Sequence, residues 1–323
     1  MSIKTKLKKE NVIFLVGPTA VGKTAVAYFL AKRLSACIIS CDSMQVYKGM
    51  NILTSKSPLE VRRKIPHYLI DIVSPESEYS CADYAKDALK KIEYVLSLSK
   101  IPLVVGGSGL YVKTLIDGIF SGPSRDENLR KSLYKEIEEK GTGVLFERLK
   151  KLDPKTASRI NPKDVRRIVR ALEVYMLAKE PISDLKKETS GISEDYNIII
   201  IGLNRERRDL YSRIDKRVDE MFRDGLVDEI KHLGKLRLSQ SASQALGMKE
   251  VVGYLKGDYN INEAKRFLKR NTRHFAKRQL TWFRMDKRIK WFEIKEDEMP
   301  EKTADRVYGY LEDIIGKSGI SCG

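Results

Sequence analysis

One octapeptide constrains this chain more than any other feature. Residues 17 to 24 read G-P-T-A-V-G-K-T and close an apolar run, NVIFLVG, that begins at Asn11. Gly17 and Gly22, separated by four residues and followed by Lys23 and Thr24, satisfy the phosphate-loop pattern. A glycine-rich turn between a buried strand and a helix start lets backbone N–H groups converge on phosphate. Pro18, Thr19, Ala20 and Val21 complete the cradle, Lys23 adds a point charge, and the Thr24 hydroxyl is a candidate ligand for Mg²⁺. The pattern predicts an α/β fold: a phosphate-loop parallel sheet flanked by helices, with the ligand at the C-terminal strand ends.

The rest of the sequence fits that frame. Further apolar runs occur at 36–40 (ACIIS), 69–73 (LIDIV), 101–107 (IPLVVGG) and 196–203 (YNIIIIGL). Helical stretches at 23–34 and 82–98 separate some of them. Runs apolar on both faces suit buried parallel strands. After Gly122-Pro123 the texture changes. Residues 124–188 contain no strand-like run and read as short charged helices broken at Gly141, Gly143, Pro154, Pro162 and Pro181. The division expected is a first core part at 1–121, a helical insertion at 122–194, and a core continuation with basic C-terminal helices at 195–323. In that last part, helical sequence from Arg205 to Leu233 precedes a loop at 238–247 and a basic helix at about 262–284.

Composition narrows the function classes. The 323 residues carry 61 Lys and Arg against 44 Asp and Glu, a formal charge of +17, which points to a polyanionic partner. No window is apolar enough to span a membrane. The basic start resembles a signal peptide only until Gly17-Pro18 interrupts it. The four cysteines (Cys37, Cys41, Cys81, Cys322) form no CxxC pair, and there are three histidines (His67, His232, His274), so neither a zinc site nor a disulfide framework is expected. The reading is a cytoplasmic chain.

Three further segments carry chemistry. The second apolar run ends in C-D-S-M-Q, which puts Asp42 just past a C-terminal strand end, where ligands bind in open parallel sheets. Gly106-Gly107-Ser108-Gly109 ends another run and offers a hydroxyl at the same edge. From Asn262 to Lys290 eleven basic residues face two acids, with Phe267, Phe275, Trp282 and Phe283 interleaved. Such a segment can hold nucleic-acid phosphates and stack unpaired bases. The plainer reading makes the aromatics core residues, but it leaves the charge bias unexplained.

Taken in order, the motifs resemble a known family. G-P-T-A-x-G-K-T is followed by D-S-x-Q-x-Y-x-G-M, P-H-x-L-I-D-I, G-G-S-G-L-Y, R-A-L-E-V, Q-A-x-G-x-K-E and K-R-Q-x-T-W-F-R. From Gly17 to Arg284 the chain is similar to the bacterial tRNA dimethylallyltransferases (tRNA isopentenyltransferases). The resemblance implies transfer of a dimethylallyl group from dimethylallyl diphosphate, with Mg²⁺, to N6 of the adenosine 3′ of the anticodon. It implies Asp42 as general base, Ser108 at the bridging oxygen (where the family usually has Thr), and Lys23, Thr19, Thr24 and Arg217 at the diphosphate. It implies contacts to the tRNA anticodon stem-loop from Asp42, Ser43, Met44, Gln45, Ser108, Arg130, Arg166, Arg167, Arg170, Gln244, Gly247, Lys249, Lys277, Arg278, Gln279, Trp282 and Arg284, in a monomeric enzyme. Departures are Asn51, Leu53, Ser55 and Ser57 in Y-K-G-M-N-I-L-T-S-K-S-P, and Met248 where an aromatic is usual.

Alternatives are a phosphate-loop small-molecule kinase, a free-adenylate prenyltransferase, which needs no anticodon clamp, and an RNA-binding ATPase. The ATPase would need a magnesium Asp after an apolar strand, and Asp71 is read as lying inside one. The loop motif alone does not decide between ATP and a prenyl diphosphate.

Overall fold

Strands apolar on both faces need helices on both faces, and this sets the architecture. The computed structural model of the chain describes residues 9–119, 122–123, 125–185 and 189–316; Cys322 lies outside them. In chain order the elements are β1 (Asn11–Val16), α1 (Lys23–Leu34), β2 (Ala36–Cys41), α2 (Leu59–Lys64), β3 (His67–Tyr68), α3 (Cys81–Ser97), β4 (Ile101–Gly106) and α4 (Gly109–Asp117). Then come α5 (Glu127–Lys140), α6 (Thr142–Leu152), α7 (Pro154–Ala157), α8 (Val165–Ala178) and α9 (Ile182–Leu185). The chain continues with β5 (Asn197–Arg205), α10 (Arg207–Arg223), α11 (Leu226–Leu233), α12 (Met248–Leu255), α13 (Ile261–Arg284), β6 (Ile289–Ile294) and α14 (Pro300–Gly316).

The strands form one parallel sheet in the order β3-β2-β4-β1-β5-β6. Gly106 lies opposite both Val16 and Cys41. The loops after β1, β2 and β4 therefore leave the sheet at one level, which brings the phosphate loop, Asp42 and Ser108 to a common edge. On one face α1, α10 and α14 bury Leu30, Ile214 and Leu311 against Ile13, Leu103 and Ile201. On the other, Tyr84, Ile92, Val112 and Leu115 of α3 and α4 cover Phe14, Ile39 and Val104. A third cluster joins Tyr47, Met50 and Leu53 to Val218, Ile230, Val251 and Leu268 of α10 to α13.

Local signals explain the helix starts. Gly22 caps α1 at φ 109°, a conformation other residues rarely adopt. Ser80 with Asp83, and Asn260 with Glu263, form reciprocal capping boxes on α3 and α13.

The run LIDIV is a correction. Only His67–Tyr68 pairs with β2, because Leu69 (φ 61°) and Asp71 (φ 59°) are left-handed and end the ladder. Asp71 is thus outside the strand, and its carboxylate is taken by Lys56 (2.6 Å) and Arg62 (2.9 Å). The edge strand β6 was not expected. Its Lys290 and Glu293 face solvent, so it reads as part of a charged tail. The short helix α12, within the stretch that follows the 238–247 loop, was also unread.

Residues Asp117–Gly191 form a compact unit of their own. Its core is Leu133, Leu145, Leu149, Ile168 and Leu172. Gly141 separates α5 from α6 and Pro154 opens α7, whereas Gly143 lies inside α6 and breaks nothing.

Adding a Cβ at Gly106 would bring it to 1.9 Å from the Cys41 carbonyl oxygen, which is backbone of the paired strand and cannot step aside. Gly106→Ala is expected to destabilise the fold by about 3 kcal/mol or to prevent folding. Thermal unfolding of the purified variant checks this.

Candidate active site

The phosphate loop is held from outside. Lys23 Nζ donates to the carbonyls of Gly17 (2.8 Å) and Pro18 (2.7 Å). Arg217 Nη1 donates to Thr19 Oγ1 (3.1 Å), Arg213 Nε to the Ala20 carbonyl (3.0 Å), and Arg205 Nε to the Val21 carbonyl (2.9 Å). The Thr19 N–H donates to Gln279 Oε1 (2.8 Å), while Gln279 Nε2 donates to the Gly107 carbonyl (2.9 Å). One amide from α13 therefore ties the phosphate loop to the loop after β4.

Asp42 sits in a turn of its own making: Oδ1 accepts the N–H of Met44 (2.9 Å) and of Gln45 (3.3 Å). Oδ2 has no hydrogen-bond partner among the described residues. The Ser43 N–H donates to Ser108 Oγ (2.9 Å), whose hydroxyl lies 3.3 Å from Ser43 Oγ. Asp42 and Ser108 are thus linked through one intervening residue. Asp42, Lys23, Arg217 and Gly107 line one cavity of about 410 Å³, together with Thr19, Thr24, Ser55, His67, Phe275 and Gln279. Arg213 and Lys216 line it too, and sequence reasoning missed both. The signal was there: R-I-D-K-R places Arg213 one helical turn before Arg217.

Four cations (Lys23, Arg213, Lys216, Arg217) face two carboxylates (Asp42, Glu220) in this cavity. Loss of hydration pulls the Lys23 pKa down to about 7, with Arg217 adding to the drop and Asp42 opposing it. Burial lowers Arg217 as well, again opposed by Asp42. The site as it stands carries excess positive charge that an anion would relieve.

The loop that departs from the family pattern forms part of the wall. Glu229 of α11 accepts the N–H groups of Asn51, Ile52 and Leu53 at 2.9, 2.8 and 2.8 Å. Asn51 Oδ1 accepts Lys56 (3.2 Å), and Ser55 Oγ accepts Arg217 Nε at 2.8 Å. Ser57 also lines the cavity.

Several of the residues expected at the RNA make hydrogen bonds or packing contacts within the protein, although Gln45 and Gln279 also line the cavity. Gln279 is 8% exposed, with both amide ends used as above. Gln45 accepts from Ser40 (3.1 Å) and donates to the Thr54 carbonyl (3.2 Å). Gly247 is buried at φ 106° against Leu53. Trp282 packs on Gly109 and Phe267 edge-on against Tyr259, both partly buried, while Phe283 is buried and cannot stack a base. In the insertion, Arg130 (2.9 Å) and Arg170 (2.6 Å) both clamp the fully buried Glu173, with their side chains left partly exposed. Within α13, Lys269 pairs with Asp219 and Arg273 with Asp215 of α10. The exposed candidates are Gln244, Lys249, Lys277, Arg278, Arg284, Arg166 and Arg167, the last 3.3 Å from Asp164. Lys277, Arg278 and Arg284 have no carboxylate partner among the described residues.

Residues 45–286 match the family model described as IPP transferase. The chain is 46% identical over 288 residues to the tRNA dimethylallyltransferase of Halothermothrix orenii, covering 88% of each. The chain belongs to the tRNA dimethylallyltransferase family. Its relative in Thermotoga petrophila is 45% identical over 287 residues, 88% of this chain and 93% of that one. Among solved structures, the tRNA isopentenylpyrophosphate transferase of Bacillus halodurans is 39% identical with a TM-score of 0.71, covering 96% and 98% of the two chains. A eukaryotic dimethylallyltransferase acting on tRNA is 27% identical with a TM-score of 0.80, covering 97% and 81%. Members of this family are tRNA-modifying transferases, and the sheet and helices described above are its fold.

The Lys23 shift has a measurable sign. An anion in the loop favours the ammonium, so the pKa of Lys23 in the complex lies above its free value of about 7. Diphosphate binding is expected to take up a proton at about pH 8 and to weaken as pH rises above 7. Calorimetry in buffers of different ionisation enthalpy reads the uptake, and Lys23→Met should lack that part of it.

Proposed function

We propose that this chain transfers a dimethylallyl group from dimethylallyl diphosphate to N6 of the adenosine 3′-adjacent to the anticodon, releasing diphosphate. The observation that carries the reading is the cavity that Asp42 shares with the cationic phosphate loop, with Ser108 following Gly107 of its wall and held by the Ser43 N–H. The bond from C1 of the dimethylallyl group to the bridging oxygen breaks as N6 bonds to C1. Charge building on the diphosphate falls where loop N–H groups, Lys23 and Arg217 converge. Ser108, held by the Ser43 N–H, can turn its proton towards the bridging oxygen. Adenosine N6 is a weak nucleophile, and Asp42, whose Oδ1 is fixed by two N–H groups, takes its proton on Oδ2.

The donor set also suits Mg²⁺. Thr24 lines the cavity at the first turn of α1. No group of three or more His, Cys, Asp or Glu that could hold a metal occurs among the described residues. The protein would thus supply Thr24 Oγ1, and diphosphate and water the other ligands. Bound there, the ion neutralises charge on the leaving diphosphate.

The adenosine must leave its stack to reach the cavity. The exposed cations Lys277, Arg278 and Arg284 hold phosphates of the distorted anticodon loop, and the enzyme works as a cytoplasmic monomer on free tRNA. No helix among the described residues is long and apolar enough to cross a membrane. The direct test is labelled dimethylallyl diphosphate with unmodified tRNA, followed by nucleoside analysis. Labelled N6-(dimethylallyl)adenosine is expected. Phosphoryl transfer from ATP without RNA, and no prenylated nucleoside, would favour the kinase alternative.

Charge reversal at Lys277 and Arg278 should weaken RNA binding and flatten its salt dependence, whose slope is roughly −0.7 to −0.9 per phosphate contact. Dimethylallyl diphosphate affinity should not move. An unchanged slope would place the RNA elsewhere.

A further inference from the structure

Three arginines grip three consecutive residues of the phosphate loop, and they are not equivalent. Arg205 on Val21 is 5% exposed. It is neutralised by Asp209 at 2.7 Å and also donates to the carbonyls of Lys295 (3.0 Å) and Glu296 (3.4 Å). Its guanidinium is spent on holding the loop. Arg217 on Thr19 has its Nε on Ser55 and shares the field of Asp42.

Arg213 differs from both. It spends only Nε, on the Ala20 carbonyl (3.0 Å), and has no carboxylate within salt-bridge reach among the described residues. It lines the cavity beside Lys216 and Arg217. Four residues along α10 put it about 6 Å from Arg217 along the helix axis, on the same face. Two arginines so placed match the spread of oxygens on a diphosphate, and Arg's planar fork suits phosphate. Ala20 itself is left-handed (φ 63°), so fixing its carbonyl outward also fixes how the neighbouring N–H groups face the anion. Arg213 is an exposed lining residue; loss of hydration on the cavity side first, then the nearby Arg205, lowers its pKa, while Asp209 and Glu220 oppose. A cation with no carboxylate in direct contact gains from an incoming anion.

We propose that Arg213 is a second diphosphate-binding arginine, anchoring Ala20 with Nε and holding the diphosphate with its remaining N–H groups. This deepens the proposed transferase reading and rests on it. By this division Arg217 serves the end of the diphosphate near the reacting carbon and Asp42, and Arg213 the far phosphate.

The test uses the full chain and inorganic diphosphate, titrated by calorimetry into wild type, Arg213→Ala and Arg213→Lys. Arg213→Ala should bind diphosphate roughly 10- to 100-fold more weakly, the usual worth of a charge-assisted hydrogen bond. Its KM for dimethylallyl diphosphate should rise by a similar factor, with the KM for tRNA and the melting temperature held and kcat falling less. Added guanidinium ion should recover part of the lost affinity, which a purely structural role would not allow. Arg213→Lys keeps a charge without the fork and should fall between, which also covers the case in which the alanine variant folds poorly. Diphosphate affinity within twofold of wild type in both variants overturns the proposal and leaves the transferase reading in place. Absence of diphosphate binding by wild type would overturn both.

Discussion

The Gln279 side chain joins the two parts of the core that must cooperate. Its oxygen takes the Thr19 N–H of the phosphate loop and its nitrogen serves the Gly107 carbonyl beside Ser108. A Cβ at Gly107 would stand 2.4 Å from that nitrogen, so the bridge exists because residue 107 has no side chain. Three residues on, Trp282 closes on Gly109 in the same way. Helix α13 is therefore docked on the loop after β4 by its buried face, while its Lys277, Arg278 and Arg284 point to solvent. One helix holds the phosphate loop at Thr19 and presents three exposed cations.

Electrostatics divide along the same line. Around the loop, charge is left unbalanced, and Lys23 titrates near 7 because hydration is lost faster than Asp42 can compensate. Along α13 two cations are paired, Arg273 with Asp215 and Lys269 with Asp219 of α10. In the insertion the single carboxylate of Glu173 is shared by Arg130 and Arg170. Glu229, which gathers three successive N–H groups of the 51–53 loop, keeps the cavity wall in place although Asn51, Leu53 and Ser55 depart from the family pattern.

How much of this was legible depended on how local each feature is. The phosphate loop, α1, β2, β4 and α13 are written in contiguous runs with caps and glycines at their ends, and they can be read one residue after another. Asp42 and Ser108 could be nominated because a parallel sheet brings its strand ends together. What failed was pairing across the chain. LIDIV looks like a strand until Leu69 and Asp71 turn left-handed to let Asp71 meet Lys56 and Arg62. Arg130, Arg170 and Gln279 look exposed until Glu173 and the loops at Thr19 and Gly107 claim them. Strand β6 has no two-residue alternation to announce it, with Ile289, Phe292 and Ile294 buried and Lys290 and Glu293 exposed, and Arg213, one turn before Arg217, gains its role once α10 is seen to lie along the phosphate loop.

The central claim is that Asp42 takes the N6 proton and is not chiefly a magnesium ligand. Single-turnover transfer by Asp42→Asn across a Mg²⁺ series tests it most directly. The rate constant should fall about 10²- to 10⁴-fold, the usual worth of general-base catalysis, with diphosphate and tRNA affinity nearly unchanged. Recovery of the rate as Mg²⁺ rises, or lost diphosphate binding with the chemical step intact, would contradict it.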